Sequence, residues 1–238
     1  MPKIKALETG SSWQRDGLNH QAIEDYLKTI YMLAETESPV STSRIAAARE
    51  VKPASATNMI QRLDKLNLVH YEKHYGVTLT EAGKKIALEV LRHHRLIELY
   101  LIEALGFSWD EVHEQAEILE HVISEKLEER ISAVLGHPTL DPHGDPIPAK
   151  DGTIVHIDAQ PLGSLAVGST AYVARIVDDA DGEMLRYLAQ LGLTPGAALR
   201  VVQQEPFNGP ITILIGEKTA VIGQQLAQSV LVTFKDSK

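Results

Sequence analysis

The chain has 238 residues, 44% of them hydrophobic, with 32 acidic side chains against 23 basic ones and a net charge of −9. That length supports one to three domains. No apolar run approaches the ~20 residues of a bilayer span and MPKIKALETGSSWQRDG lacks the apolar core of a secretory signal, so the expectation is a cytoplasmic protein without a membrane partner. With no cysteine, disulfides, iron–sulfur ligation and thiolate zinc sites are excluded, and any metal must be held by nitrogen and oxygen.

Residues 1–18 are polar and aperiodic and read as a flexible extension. A first helix is expected from Asn19, a suitable N-cap, with Ile23, Leu27, Ile30 and Ala34 as its apolar stripe. Asp25 lies away from that stripe, so periodicity alone makes it a surface carboxylate. Ser41 to Ala48 reads as a short helix, a break follows at Val51-Lys-Pro53, and Ala54 to Leu66 reads as a longer one with Pro53 near its first turn. Short helix, turn and longer helix outline a helix-turn-helix. Its second helix presents Ser55, Thr57, Asn58, Gln61 and Arg62, while Ala56, Met59, Ile60 and Leu63 supply packing. Asn and Gln suit adenine edges, and hydroxyls and cations suit phosphates. Thr42, Ser43 and Arg44 of the first helix join the candidate DNA contacts. Leu68–Glu72 and Tyr75–Leu79 are β-prone runs around Lys73-His74 and read as a wing, with Lys73 a further DNA contact. From 40 to 75 six basic residues face three acids, a local net of +3 in an acidic chain.

Thr80 opens a long helix to about Leu105 that carries His94 and Glu98 at i and i+4. His94 falls among Val90, Ile97 and Leu101, where a satisfied core histidine is the plainer reading. A further helix is expected from a Ser108 cap through Val134. Its run His113-Glu-Gln-Ala-Glu117-Ile-Leu-Glu120-His121 places four metal-ligating side chains within an arc of roughly 100°. Like charges at such spacing weaken a helix, so a cation is the natural compensator. Val112, Leu119, Val122, Ile123, Leu127 and Ile131 exceed the needs of one helix contact, and a homodimer interface would use the excess. Gly136 to Pro148 reads as a linker; His137, Asp141 and His143 lie in it and are of metal-binding type, but solvated turn residues are the plainer reading. Beyond it, short β runs at 171–177, 198–202, 211–215, 220–222 and 230–234, with a helix at Glu183–Leu191 closed by Gly192, indicate a small β-barrel.

This order of parts resembles the metalloregulators typified by the diphtheria toxin repressor and its manganese-responsive relatives. The resemblance covers residues 19 to 238 and is carried by Glu-Asp25-Tyr-Leu-Lys-Thr-Ile-Tyr31, His94-Arg-Leu-Ile-Glu98 and Val-His113 through Glu120-His121-Val-Ile-Ser. It implies an α+β chain: a winged helix-turn-helix over 1–80, metal-binding and dimerisation helices over 81–140, a Pro/Gly linker over 141–165, and an SH3-like barrel over 166–238 that is similar to a domain of ferrous-iron transport accessory proteins. It implies Asp25, Glu117, Glu120 and His121 as the principal metal site, against the surface reading of Asp25. It assigns His94, Glu98 and His113 to a second site, to which the barrel adds a ligand in long members; Asp178, Asp179 and Asp181 are the acids near the matching stretch. Iron-responsive members carry a cysteine and a methionine where this chain has Glu117 and Asp25, and exchange of sulfur for hard carboxylates favours Mn(II), with Fe(II) as the alternative. Shorter manganese-responsive members carry a further acid where this chain has Lys28, and they lack the barrel. The implied function is a metal-dependent repressor of metal-homeostasis genes that binds a palindromic operator as a homodimer, with no small-molecule substrate and no catalysis. Three other readings compete. A carboxylate-bridged metalloenzyme would call for a Glu-x-x-His motif from each of two helices, where the second helix offers only His94-x-x-x-Glu98. A winged-helix regulator of an organic ligand would leave the acidic run as solvated surface. A transport accessory module would account only for the last third of the chain.

Overall fold

The computed structural model describes residues 20–177 and 181–234, so the expected 1–18 extension, the Asn19 cap, Asp178 and Asp179 lie outside the described residues. The chain forms two compact units that divide between Leu91 and Arg92.

The first unit holds α1 (His20–Ala34), α2 (Thr42–Ala48), α3 (Pro53–Lys65), β1 (Val69–Glu72), β2 (Gly76–Leu79) and the start of α4 (Glu81–Leu105). Helical spacing puts Leu27 and Ile30 of α1, Ile45 of α2, and Ile60 and Leu63 of α3 into one core with Val77, all fully buried. Each such side chain contributes about 1.5–3 kcal/mol relative to exposure. Ser41 caps α2 by accepting from the Arg44 amide, and Pro53 occupies the first turn of α3, where no N–H is needed. β1 and β2 pair antiparallel with Val69 opposite Leu79. Their turn places His74 at φ +69, and Val40 bridges to Val77 on the far side of β2. Thr80 accepts from the Gly83 amide at 3.1 Å and so starts α4.

In the second unit the single helix expected from Ser108 to Val134 is two helices, α5 (Val112–Leu119) and α6 (Glu125–Val134). Ser124 explains the break: its hydroxyl accepts from the Leu127 amide and caps a new helix, leaving Glu120 and His121 in the intervening turn. Ser108 does not cap α5; its hydroxyl donates at 2.6 Å to the carboxylate of Glu111, the residue that precedes the helix.

The segment 141–148 departs further from expectation. Asp141 and His143, expected in solvated turns, are buried at 5% and 0% exposure, whereas His137 is exposed. The Asp141 carboxylate accepts from the His143 and Asp145 amides at 2.9 and 2.8 Å and folds the segment on itself. The His143 carbonyl accepts from the Ile176 amide, and Gly144 sits at φ +89 so close to the Ala174 carbonyl that a Cβ would collide with it. Arg95 donates to the Pro146 carbonyl. Pro and Gly here shape a docked turn.

The carboxy-terminal part is one six-stranded antiparallel sheet in the order β3 (Gln160–Pro161), β8 (Val230–Thr233), β4 (Thr170–Ile176), β5 (Ala198–Gln204), β6 (Ile211–Ile215), β7 (Lys218–Ile222). Register shifts at Val173/Arg175 and Val201/Gln203 bend the strands around a core that includes Leu162, Val173, Leu185, Leu188, Val201 and Ile213. Two helices complete it, α7 (Gly182–Leu191), which ends on Gly192 at φ +80, and α8 (Gln224–Ser229). Among the described residues no helix is long and apolar enough to cross a membrane.

Candidate metal centre

Two imidazoles and several carboxylates converge inside the second unit because α4 and α5 each present ligating residues at helical spacing. His94 Nε2 lies 3.0 Å from Glu98 Oε1 and 3.2 Å from His113 Nδ1, and His113 Nδ1 lies 3.5 Å from Glu98 Oε1. His94 Nδ1 contacts Glu120 Oε2 at 2.5 Å. Glu117 Oε1 approaches both histidines, at 3.8 Å from His94 and 3.9 Å from His113. His121 Nε2 stands 3.3 Å from Glu120 Oε1. The turn between α5 and α6 thus folds Glu120 and His121 back toward α4, which a continuous helix would not require.

The structure therefore brings six of the seven sequence-assigned metal ligands into one neighbourhood of the second unit, and it groups Glu117 with His94 and His113. Asp25, the seventh, belongs to the first unit. It is buried at 8% exposure, against the surface position that periodicity suggested, because Arg49 at the end of α2 pairs with it at 2.7 Å. Lys28 is buried in the same helix.

Electrostatics match the crowding. Burial alone would raise the Glu98 carboxyl, but the facing His94, with His113 and His143, more than offsets it and holds it well below the usual carboxylate range. Burial pushes the Asp141 carboxyl well above that range, with Asp145 and Glu98 adding like charge against Arg95 and His143. A divalent cation fits this chemistry: the donors are imidazole nitrogen and carboxylate oxygen, and Glu98 Oε2 is buried without a hydrogen-bond partner.

Asp141 and His143, for which the sequence favours solvated turns over metal binding, are instead buried members of this neighbourhood. Glu98, Asp141 and His143 form a second buried trio of ligand atoms within 4.8 Å of one another. The available signal was an acid on either side of a histidine within a Pro/Gly run, since Asp side chains that fold their own backbone can bury a turn. Among the barrel acids, Asp181 caps α7 by accepting from the Met184 amide.

On the first unit, Ser43, Arg44, Ser55, Asn58, Gln61 and Lys73 are exposed, while Thr42, Thr57 and Arg62 are half-buried. The Thr57 hydroxyl donates to the Pro53 carbonyl within its own helix, and Arg44 pairs with Glu37 at 3.0 Å.

Comparison with known proteins gives three family matches: the iron dependent repressor N-terminal DNA binding domain over residues 20–77, the iron dependent repressor metal binding and dimerisation domain over 80–149, and the FeoA domain over 160–233. The chain is 31% identical over 222 residues to the iron-dependent repressor IdeR of Mycobacterium tuberculosis, spanning 88% of this chain and 95% of that one. It is 36% identical over 116 residues to the regulator MntR of Oceanobacillus iheyensis, covering 49% of this chain and 78% of the relative. A solved manganese-dependent transcriptional repressor in complex with manganese matches with a TM-score of 0.83 at 41% identity, over 90% of this chain and all of that one.

Proposed function

The chain belongs to the iron-dependent repressor family, and from that premise we propose that it is a cytoplasmic transcriptional repressor of metal-homeostasis genes with a divalent cation as co-repressor. The observation that carries the metal dependence is the convergence of buried His94, Glu98 and Glu120 with half-buried His113 and Glu117, a donor set of nitrogen and oxygen alone. That set favours Mn(II), with Fe(II) the alternative, on ligand hardness, and the manganese-bound neighbour supports the same order. No residue is assigned a catalytic role.

The ligands follow the resemblance: Asp25, Glu117, Glu120 and His121 for one ion, and His94, Glu98 and His113 for another. A bound divalent cation would supply the positive charge that the clustered carboxylates need. Within the first unit, Asp25 is paired with Arg49, which terminates α2, and the apolar face of α1 shares one core with α2 and α3. A constraint on Asp25 is therefore a constraint on the helix-turn-helix. Occupancy at 100 times Kd would bias the DNA-competent arrangement by about 2.7 kcal/mol per site where the other arrangement binds negligibly.

We assign α3 to the major groove, with Ser55, Asn58 and Gln61 toward base edges and Thr42, Ser43, Arg44, Thr57, Arg62 and Lys73 toward the backbone. A homodimer would place two such helices about 34 Å apart, or a multiple of that, on a palindromic duplex. The test is fluorescence anisotropy of chelator-treated protein on duplexes enriched from a random library in the presence of Mn(II). Adding Mn(II) is expected to tighten binding at least about tenfold, within the usual coupling range; an affinity indifferent to Mn(II) overturns the proposal.

A further inference from the structure

Arg49 follows α2 as its C-cap, and its side chain lies back across α1. Nη2 donates to Asp25 Oδ2 at 2.7 Å, and the guanidinium carbon stands 5.9 Å from the centre of the Tyr26 ring, within cation–π range. Arg49 Nε, by contrast, is buried without a hydrogen-bond partner. A buried donor with no acceptor is unfavourable, so it is the charge of Asp25, with the face of Tyr26, that holds the guanidinium in place.

Asp25 is assigned above as a metal ligand. A hard divalent cation and a guanidinium make the same demand on its carboxylate, positive charge at an oxygen lone pair. A cation on either oxygen would stand only a few ångströms from a guanidinium that kept its 2.7 Å contact, and like charges so close repel. One of the two must leave. The Arg49 side chain is 27% exposed and that of Asp25 11%, so the long arginine stem can swing into water while the carboxylate stays where it is. The exchange leaves the packing of the unit intact, because α1, α2 and α3 are joined by their apolar core as well as by this pair.

We propose that Arg49 is a built-in competitor for the metal: its guanidinium neutralises Asp25 until a divalent cation displaces it, and it thereby sets the metal concentration at which the chain responds. The inference rests on the assignment of Asp25 as a ligand and deepens it. A residue of the helix-turn-helix that gives no electron pair to the ion joins those that govern metal affinity. The coupling through the shared core stands, and the exchange adds a second report of occupancy, the release of a cation at the turn between α2 and α3.

The experiment is equilibrium dialysis of the full-length, chelator-treated protein against Mn(II) alone, with free Mn(II) read by electron paramagnetic resonance, for wild type, Arg49→Met, Arg49→Lys and Asp25→Asn. Methionine keeps an apolar stem beside Tyr26 and removes the charge, whereas lysine keeps the charge. Circular dichroism establishes that each variant is folded, and Arg49→Gln stands in if Arg49→Met is not. The binding step that Asp25→Asn weakens is the one to which Asp25 contributes. Arg49→Met is expected to tighten that step about threefold to fivefold, the upper range for a partly exposed ion pair, and Arg49→Lys to leave it close to wild type. A purely structural role for Arg49 would weaken the step instead. A step unchanged or weakened in Arg49→Met overturns the competition, and so does a lysine variant that binds as tightly as the methionine one. If Asp25→Asn binds Mn(II) as wild type does, the assignment of Asp25 falls together with the inference, while Mn(II)-dependent DNA binding by the wild type would leave the repressor reading standing. A wild type that binds no Mn(II) overturns both.

Discussion

At the scale of single residues, burial decides what a charge does, and burial depends on partners far along the chain. Glu128 of α6 is 4% exposed because Arg92 Nε meets it at 2.7 Å, with His93 at 3.6 Å. Burial would raise its carboxyl, but His93 and Arg92 prevail and lower it. A lowered folded-state pKa contributes stability that is complete above the ordinary carboxylate value and is lost as pH falls through the folded value. Glu128→Gln is therefore expected to cost about 3 kcal/mol at pH 7, the scale of breaking a buried pair, with the deficit narrowing below about pH 4. Urea denaturation at pH 7, 5 and 3 measures it, and a deficit that does not change with pH counts against the ion-pair account. Asp25 shows the same dependence: helical period alone put it at the surface, and Arg49, 24 residues on, is what lets it be buried. No local pattern encodes such a pair.

At the scale of elements, local chemistry was legible where a cap or a glycine marked the boundary. Gly192 ends α7 at φ +80, and strand β6 spans the expected residues 211–215. The break between α5 and α6 was missed, since the apolar period runs through it and only the Ser124 cap marks it. The docked turn at 141–148 was missed for a related reason: Pro and Gly punctuate exposed and buried turns alike, and Asp141 decides between them by folding the segment on its own carboxylate. Gly144 tests that docking. Gly144→Ala meets both an unfavourable positive φ and the Ala174 carbonyl, so its cost should exceed the about 1–2 kcal/mol of the backbone strain alone. Gly136→Ala, at φ +74 in open space, carries only the backbone part and is the matched control. Thermal unfolding of the two variants compares them, and equal losses would mean that the segment yields at no cost.

At the scale of the whole molecule, the apolar excess of the dimerisation helices divides between inside and outside. Val112 and Ile131 are spent within the second unit's own cores, whereas Val122, Leu127 and Val134 are 75%, 52% and 72% exposed, with Ile118 at 64%. A second copy of the chain is the occupant expected for that surface, given the dimerisation-domain match over 80–149. Leu127→Glu with Val122→Glu should shift the protein from dimer to monomer in sedimentation velocity and weaken operator binding; an unchanged sedimentation coefficient would remove these residues from the interface. The sequence by itself determined the order of modules, the basic winged head within an acidic chain, and which imidazole and carboxylate side chains stand on α4 and α5, since periodicity, capping chemistry and local charge are properties of neighbouring residues. Only the tertiary structure decided that Glu117 stands with His94 and His113, that Arg49 covers Asp25, and that Asp141 and His143 lie against Glu98. Those facts depend on groups as far as 45 positions apart, brought together as folding removes charge from water and leaves it to find its partners in space.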